Sequence, residues 1–207
     1  MVAEPGAGVE AALRAGDEAT YAGLVRSWSP ALLRTALALS GDRSTAEAVV
    51  RATWLRLPGE MADHQPPPGL WGFVCGLLLS ELDLREAASS RGDGPSARAP
   101  TVDPSRFLPP THRQWPGHWH IPPTTWPAME DGRPSSQGVG SALRGALDTL
   151  PRGQRVVVGL RDVAGCEVAD IARVVAQHPE HVRDLLHRGR AEVRRRLELH
   201  FADARPA

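Results

Sequence analysis

QHPEHVRDLLHRGRAEVRRRL, residues 177–197, decides how this chain must fold, because it carries two stripes at helical spacing. Val182, Leu185, Leu186, Val193 and Leu197 recur with the period of one helix face, the pattern of a surface made to be buried. Arg183, His187, Arg190 and Arg194 recur on another side and form a ladder of hydrogen-bond donors. A helix packed along one side and studded with guanidinium groups along the other suits the major groove of DNA. There phosphates attract cations and base edges accept bidentate Arg. A solvated amphipathic helix has the same pattern, so the ladder alone leaves both readings open.

Immediately upstream, EVADIARVVA (167–176) brings Val168, Ile171, Ala172 and Val175 onto one face. Only Gln177, His178 and Pro179 separate the two segments, and Pro179 suits a first helical position, so the layout is that of a helix-turn-helix. The turn has Ala176 where Gly is common. Two further segments precede these: SALRGALDTL (141–150), ended by Pro151, and RGQRVVVGLRDV (152–163), which groups Val156, Val157, Leu160 and Val163.

Four helical segments are predicted in the N-terminal part. Tyr21, Leu24, Val25 and Trp28 share a face; after Pro30 a second helix follows with Leu32, Leu33, Ala36, Leu37 and Leu39, ended by Gly41. Ser44 with Glu47 reads as a capping box opening a third helix of Ala46, Val49, Val50, Trp54 and Leu57, which Pro58 and Gly59 stop. LWGFVCGLLLSELDLREA (70–87) is too long and too apolar for a strand and predicts a largely buried fourth helix. From about Ala87 to Gly140 no period survives, and ten of the chain's 19 prolines fall there. This linker holds Phe107, Trp115, Trp119 and Trp126, rings that either the chain's own helices or a partner should cover. The expected fold is all-α: two small helical domains, 1–88 and 140–207, joined by a long Pro/Trp-rich linker, 89–139.

Composition narrows the function classes. The chain of 207 residues is neutral overall, with 24 cations against 24 carboxylates, but its basic end is C-terminal. Every cation is Arg, which carries no functional weight where no Lys occurs at all. Cys75 and Cys166 each stand alone among apolar or small neighbours and indicate neither a disulfide framework nor a Cys-based zinc centre, which fits a reducing cytoplasm. The N-terminal stretch lacks the order of a signal peptide, and the longest apolar run, Leu70 to Leu79, is about half a membrane span, so a soluble cytoplasmic protein is expected. GVGSAL at Gly138 lacks the third glycine of a dinucleotide loop, and no Walker, HExxH or GxSxG pattern occurs. His118 and His120 lack a nearby carboxylate or thiolate, so neither a metal, a cofactor nor an enzyme is expected.

LDTLPRGQRVVVGLRDVAGCEVADIARVVAQHPEHVRDLLHRGRAEVRRRL (147–197) resembles the promoter-binding domain of extracytoplasmic-function sigma factors, specificity subunits of bacterial RNA polymerase. LPxxQR, LRDVxG, IA and VRxLLHRGRAxxR arrive in the family's order and spacing. Residues 12–57 are similar to the family's polymerase-gripping domain, and RFLPPTHRQWPGHWHIPPTTWP (106–127) to a Trp- and Pro-rich connector of some members. The resemblance implies a factor that guides core RNA polymerase to promoter DNA, with an anti-sigma factor as a further candidate partner. It would set Glu180, His181, Arg183, Asp184 and His187 against bases or the groove wall of the minus-35 element, and Arg188, Arg190 and Arg194 near phosphates. Val49, Val50, Arg51, Trp54 and Leu55 would meet the polymerase; Trp71, Phe73 and Ser80 would serve promoter melting; Trp115, Trp119 and Trp126 would dock the linker. Two features depart from the family's pattern. Ala48, Arg51 and Ala52 stand where acidic and Gln-acidic positions are usual, and the run Ser80, Glu81, Asp83, Leu84, Glu86 has Arg85 as its one cation where the family is basic. Carboxylates repel phosphates. Two alternatives follow: a DNA-binding regulator that no longer opens promoters, and a protein-binding module that acts on polymerase without touching DNA.

Overall fold

The computed structural model describes residues 8–63, 69–89, 108–109, 111–114, 120 and 136–203, and among these every regular element is a helix. Trp115, Trp119 and Trp126, expected to dock the linker, lie outside the described residues.

The N-terminal half is built from α1 (Gly8–Arg14), α2 (Glu18–Ser40), α3 (Arg43–Asp63) and α4 (Leu70–Ser89). Asp17 caps α2, its carboxylate accepting from the Ala19 N–H at 3.0 Å and the Thr20 hydroxyl at 2.7 Å. Pro30 does not divide the helix as its sequence position predicts. Pro30 and Arg26, whose carbonyl loses its helical partner, are both exposed, so the loss falls on the solvent side of the helix. On the opposite face Leu24, Trp28, Ala31, Leu32, Thr35, Ala36 and Leu39 are buried in an unbroken row, and their burial outweighs the ~3 kcal/mol a proline costs. Gly41 then ends α2 with φ 71°, its N–H bonding to the Leu37 carbonyl at 2.9 Å.

Pro58 likewise lies within α3, which continues because Met61, one turn on, is 1% exposed. The start of α3 is also corrected. Asp42, not Ser44, is the cap: its carboxylate takes the Thr45 N–H at 2.7 Å and the Ser44 hydroxyl at 2.8 Å, while Glu47 pairs with Arg43 at 2.8 Å. Tyr21 and Trp54 meet edge to face, and the Tyr21 hydroxyl donates to the Trp54 carbonyl at 2.6 Å.

The C-terminal half holds α5 (Ser136–Asp148), α6 (Arg152–Val158), a π-helical turn (Gly159–Val163), α7 (Val168–Val174) and α8 (Pro179–Asp203). The π turn splits the segment predicted as one helix, and Gly159 opens it. A Cβ there would lie 2.7 Å from Leu39 Cδ2 of α2, so only glycine lets the two helices approach.

That contact belongs to a seam at which the halves meet. Helix α2 packs on the π turn and α5, and α4 packs on α7, so one hydrophobic cluster runs through both halves. Gly72 and Gly76, one turn apart on α4, present a face without side chains; a Cβ on Gly72 would sit 3.1 Å from Asp170 Cβ, and one on Gly76 3.4 Å from Val174 Cγ2. Trp71 lies edge to face on Trp28 at 5.1 Å, and its Nε1 donates across the seam to the Ala164 carbonyl at 3.0 Å.

Candidate nucleic-acid interface

Helix α8 is seated on α5, α6 and α7 by its apolar stripe: Val182, Leu186 and Leu197 are buried, and Leu185 and Val193 half-buried. Two parts of this seat escape hydrophobic periodicity. Gly189 is buried with Ala191, and a Cβ on it would come within 2.7 Å of Val158 Cγ2, so α6 and α8 cross at this glycine. Glu192 is only 2% exposed and accepts from Arg195 Nε at 2.8 Å and Arg196 Nε at 3.0 Å. The hydrogen bond from Arg195 is the main force holding its carboxyl below the usual glutamate range, against burial. Arg195 and Arg196 thus neutralise a buried carboxylate rather than extending the outer ladder.

The turn before α8 has an unusual conformation. Ala176 takes φ 51°, the left-handed region that favours glycine, and Gln177 N–H closes on the Ala172 carbonyl at 2.9 Å. The gap noted in sequence at Ala176 is therefore a real left-handed turn made without glycine.

Glu180, His181, Arg183, His187, Arg188 and Arg190 are exposed, and Asp184 and Arg194 half-buried, all on the one helix. Internal partners divide them. Arg190 Nε bonds Asp162 at 2.9 Å in a two-pronged pair across to the π turn, which favours the charged guanidinium. Arg188 pairs with Asp184 at 3.0 Å and Arg194 with Glu198 at 3.2 Å. Among the described residues Arg183 has no such carboxylate partner, which leaves its guanidinium donors open to base edges or phosphates. His181 lines a cleft of about 820 Å³ between the helix-turn-helix and α4, shared with Asp83, Leu84, Arg152 and Leu185. Helix α4 therefore stands at the approach to the N-terminal end of α8.

The residues expected to meet polymerase separate into two groups. Val49, Val50 and Trp54 are buried at 0%, 8% and 6% exposure, which corrects their assignment to a docking surface: they are the inner face of α3. Arg51 and Leu55 lie outward, Leu55 with 76% exposure. Of the melting residues, Trp71 is a seam side chain bonded to Ala164 and cannot act as a wedge in this arrangement. Phe73 is half-buried beside Asp170 and Arg173, and the Ser80 hydroxyl accepts from Arg56 Nη1 at 3.0 Å.

The carboxylates of α4 also have partners. Glu81 meets Arg56 at 3.3 Å, and Arg152 of α6 pairs with both Asp83 and Glu86, the latter at 3.0 Å. Among the described residues no cluster of His, Cys, Asp and Glu could hold a metal, and no helix is long and apolar enough to cross a membrane; His118 is outside the described residues.

Comparison with known proteins agrees with this geometry. Residues 141–193 match the family model for sigma-70, region 4. The chain is 26% identical over 204 residues to the ECF RNA polymerase sigma factor SigE of Mycolicibacterium smegmatis, covering 95% of this chain and 66% of that protein, so it spans just under two thirds of that relative's length. Its fold is similar to CnrH, solved in complex with the cytosolic domain of CnrY, with a TM-score of 0.62 at 15% identity over 92% of this chain and 96% of CnrH. RpoE from Bartonella quintana, solved with the anti-sigma factor NepR, gives 0.56 at 16% identity over 86% of this chain and 96% of RpoE. Residues 141–193 thus match sigma-70 region 4, and over most of its length the chain is similar to an extracytoplasmic-function sigma factor.

Proposed function

We propose that this chain is a transcription initiation factor that brings core RNA polymerase to promoters. Residues 140–207 form its DNA-reading domain, 1–88 its polymerase-docking domain and 89–139 the linker between them. The observation that carries the reading is the division of α8 into a buried seat and an outer face bearing Arg183, His187, Arg188 and Arg190. Arg183, without a carboxylate partner among the described residues, is assigned to base readout; Arg194, set further along the helix, to a phosphate. Docking falls to Arg51 and Leu55 on the outside of α3. The factor works on the polymerase in the cytoplasm, has no catalytic role of its own, and has an anti-sigma protein as a further partner, as RpoE has.

Two promoter elements a little under two turns apart are on the order of 60 Å distant. With α4 packed on α7 the two halves are held together at a seam, and on this reading the seam parts when both elements are engaged.

The test is binding to promoters selected by the reconstituted holoenzyme. Arg183→Ala should weaken the cognate duplex by about 1–3 kcal/mol and relax preference at one position, whereas Arg194→Ala should weaken all duplexes and lower the salt slope by about 1. Unchanged cognate binding by Arg183→Ala overturns the assignment. A second reading, a DNA-binding regulator that does not open promoters, draws on the carboxylates of α4; run-off transcription with purified core polymerase separates the two.

A further inference from the structure

The chain has two cysteines, one in each half, and folding brings them together. Cys75 lies in the middle of α4 and Cys166 in the turn leading into α7; 91 positions apart in sequence, their Sγ atoms are 3.5 Å apart. Both are thiols and both are buried, at 0% and 2% exposure, directly on the seam. Small buried cysteines often serve only as apolar filler. Here, however, the chain's two cysteine sulfurs face one another across the contact between the halves.

We propose that Cys75 and Cys166 are a modification site: an oxidisable thiol pair whose disulfide fastens the two helical halves in the closed arrangement. A disulfide needs the sulfurs at about 2.05 Å, so each must move by less than about 1 Å, within reach of side-chain rotation and a slight closing of α4 on α7. Glycine lines α4 on both sides of Cys75, at Gly72 and Gly76, so α4 and α7 already approach without intervening side chains. Nearby backbone contacts hold the Cys166 side in place: the Arg161 guanidinium donates to the Cys166 carbonyl at 2.8 Å, and the Cys166 N–H donates to the Leu160 carbonyl at 2.9 Å.

The oxidant is a hydroperoxide. One thiolate attacks a peroxide oxygen, the O–O bond breaks, and a sulfenic acid forms as the first water or alcohol leaves. The second sulfur attacks the sulfenic sulfur, the S–S bond forms, the S–O bond breaks, and water departs with the second proton. Two electrons pass from the thiols to the peroxide, and a small dithiol returns them by exchange. Both sulfurs are buried while the seam is closed, so the peroxide reaches the first thiol as the seam opens, and the disulfide forms on reclosing and leaves α4 beside the N-terminal end of α8.

The functional consequence rests on the initiation-factor reading, but the chemistry can be read without it. The full chain is treated with hydrogen peroxide and then denatured for thiol titration, intact mass and peptide mapping. Expected are the loss of both thiols, a mass lower by two hydrogens, a peptide joining residues 75 and 166, and a monomer on a non-reducing gel. Amides of α4 and α7 should exchange about ten-fold more slowly in the oxidised chain. Cys75→Ala and Cys166→Ala should each abolish the cross-link and the slowed exchange. Run-off transcription should fall about ten-fold on oxidation, recover with dithiothreitol, and stay insensitive in either variant.

Retained thiols, over-oxidised sulfur or intermolecular dimers overturn the thiol pair. A mapped disulfide without slower exchange at the seam overturns the lock. If the reduced chain fails to support transcription, the initiation-factor reading falls, while mapping and exchange still decide the disulfide and the lock.

Discussion

Gly189→Ala should destabilise the protein although alanine is the better helix former. In an open helix interior, Gly→Ala gains about 0.5–1 kcal/mol through backbone entropy and propensity. At Gly189 the new methyl would stand 2.7 Å from Val158 Cγ2, roughly 1 Å inside the best carbon–carbon separation. It cannot slip sideways, because Gln154 Cβ at 3.4 Å and the Gln154 carbonyl at 3.5 Å close the other directions. Forcing a methyl into such a contact costs typically about 1–3 kcal/mol, which set against the propensity gain leaves a net loss of up to about 2.5 kcal/mol. Gly145 on exposed α5 is the internal control: nothing lies within 4 Å of its Cβ position, so Gly145→Ala should gain about 0.5–1 kcal/mol. Urea unfolding of the full chain reads both as midpoint shifts at constant m, of opposite sign. The reasoning fails if Gly189→Ala unfolds at the parent's midpoint or above it.

Glu192 gives a pH dependence of known sign. Its folded pKa lies below the unfolded value, so its contribution is complete above about pH 4.5 and is lost as pH falls through the lower folded value. Glu192→Gln should flatten that part of the acid unfolding curve, measured by helical circular dichroism. Ala176→Gly removes the left-handed strain at φ 51° and should raise stability by up to about 1 kcal/mol in urea, the gain being limited by the looser unfolded chain. Leu55→Asp, at an exposed position, should leave stability within about 0.5 kcal/mol of the parent yet weaken binding to core polymerase about ten-fold. Equal polymerase binding would move the docking surface elsewhere.

Helices whose faces are long and strongly periodic were legible before folding. The stripes of α8 and α7 and the apolar run of α4 appear where their spacing demands. Proline was the misleading signal, because the rule that it stops helices holds only when the flanking faces gain less than the lost bond costs. At Pro30 the lost bond falls on the solvent side while seven residues on the other side are buried. Helix α1 was missed because it is short, and its Val9 and Leu13 gain burial only by packing on the larger helices. On α3 the apolar pattern gave the right face but the wrong use: Val49, Val50 and Trp54 are core, and only Leu55 among the apolar residues assigned there turns outward. The seam was illegible for a different reason. Periodicity says that α2, α4 and α7 each have a face to bury but not which faces meet, so the pairing of Cys75 with Cys166 and of Trp71 with Ala164 came only from the folded chain.

The acidic character of α4 takes on a physical meaning at that seam. Glu81 answers Arg56, and Asp83 and Glu86 answer Arg152, so residues that would repel DNA are neutralised from within while the halves are closed. Such partly exposed pairs contribute about 0–1 kcal/mol each, too little to hold the seam, which is carried by Trp71, Gly72, Gly76 and the apolar side chains opposite them. Parting the seam releases Arg152 and uncovers Asp83 and Glu86 together. On the proposed reading an opened α4 would offer DNA two uncovered carboxylates and gain little from phosphates. Helix α4 is then no source of attraction to the duplex, and the outer face of α8 supplies it at the N-terminal end of that helix. Arg183, which has no carboxylate partner among the described residues, is the residue at which that attraction can be measured.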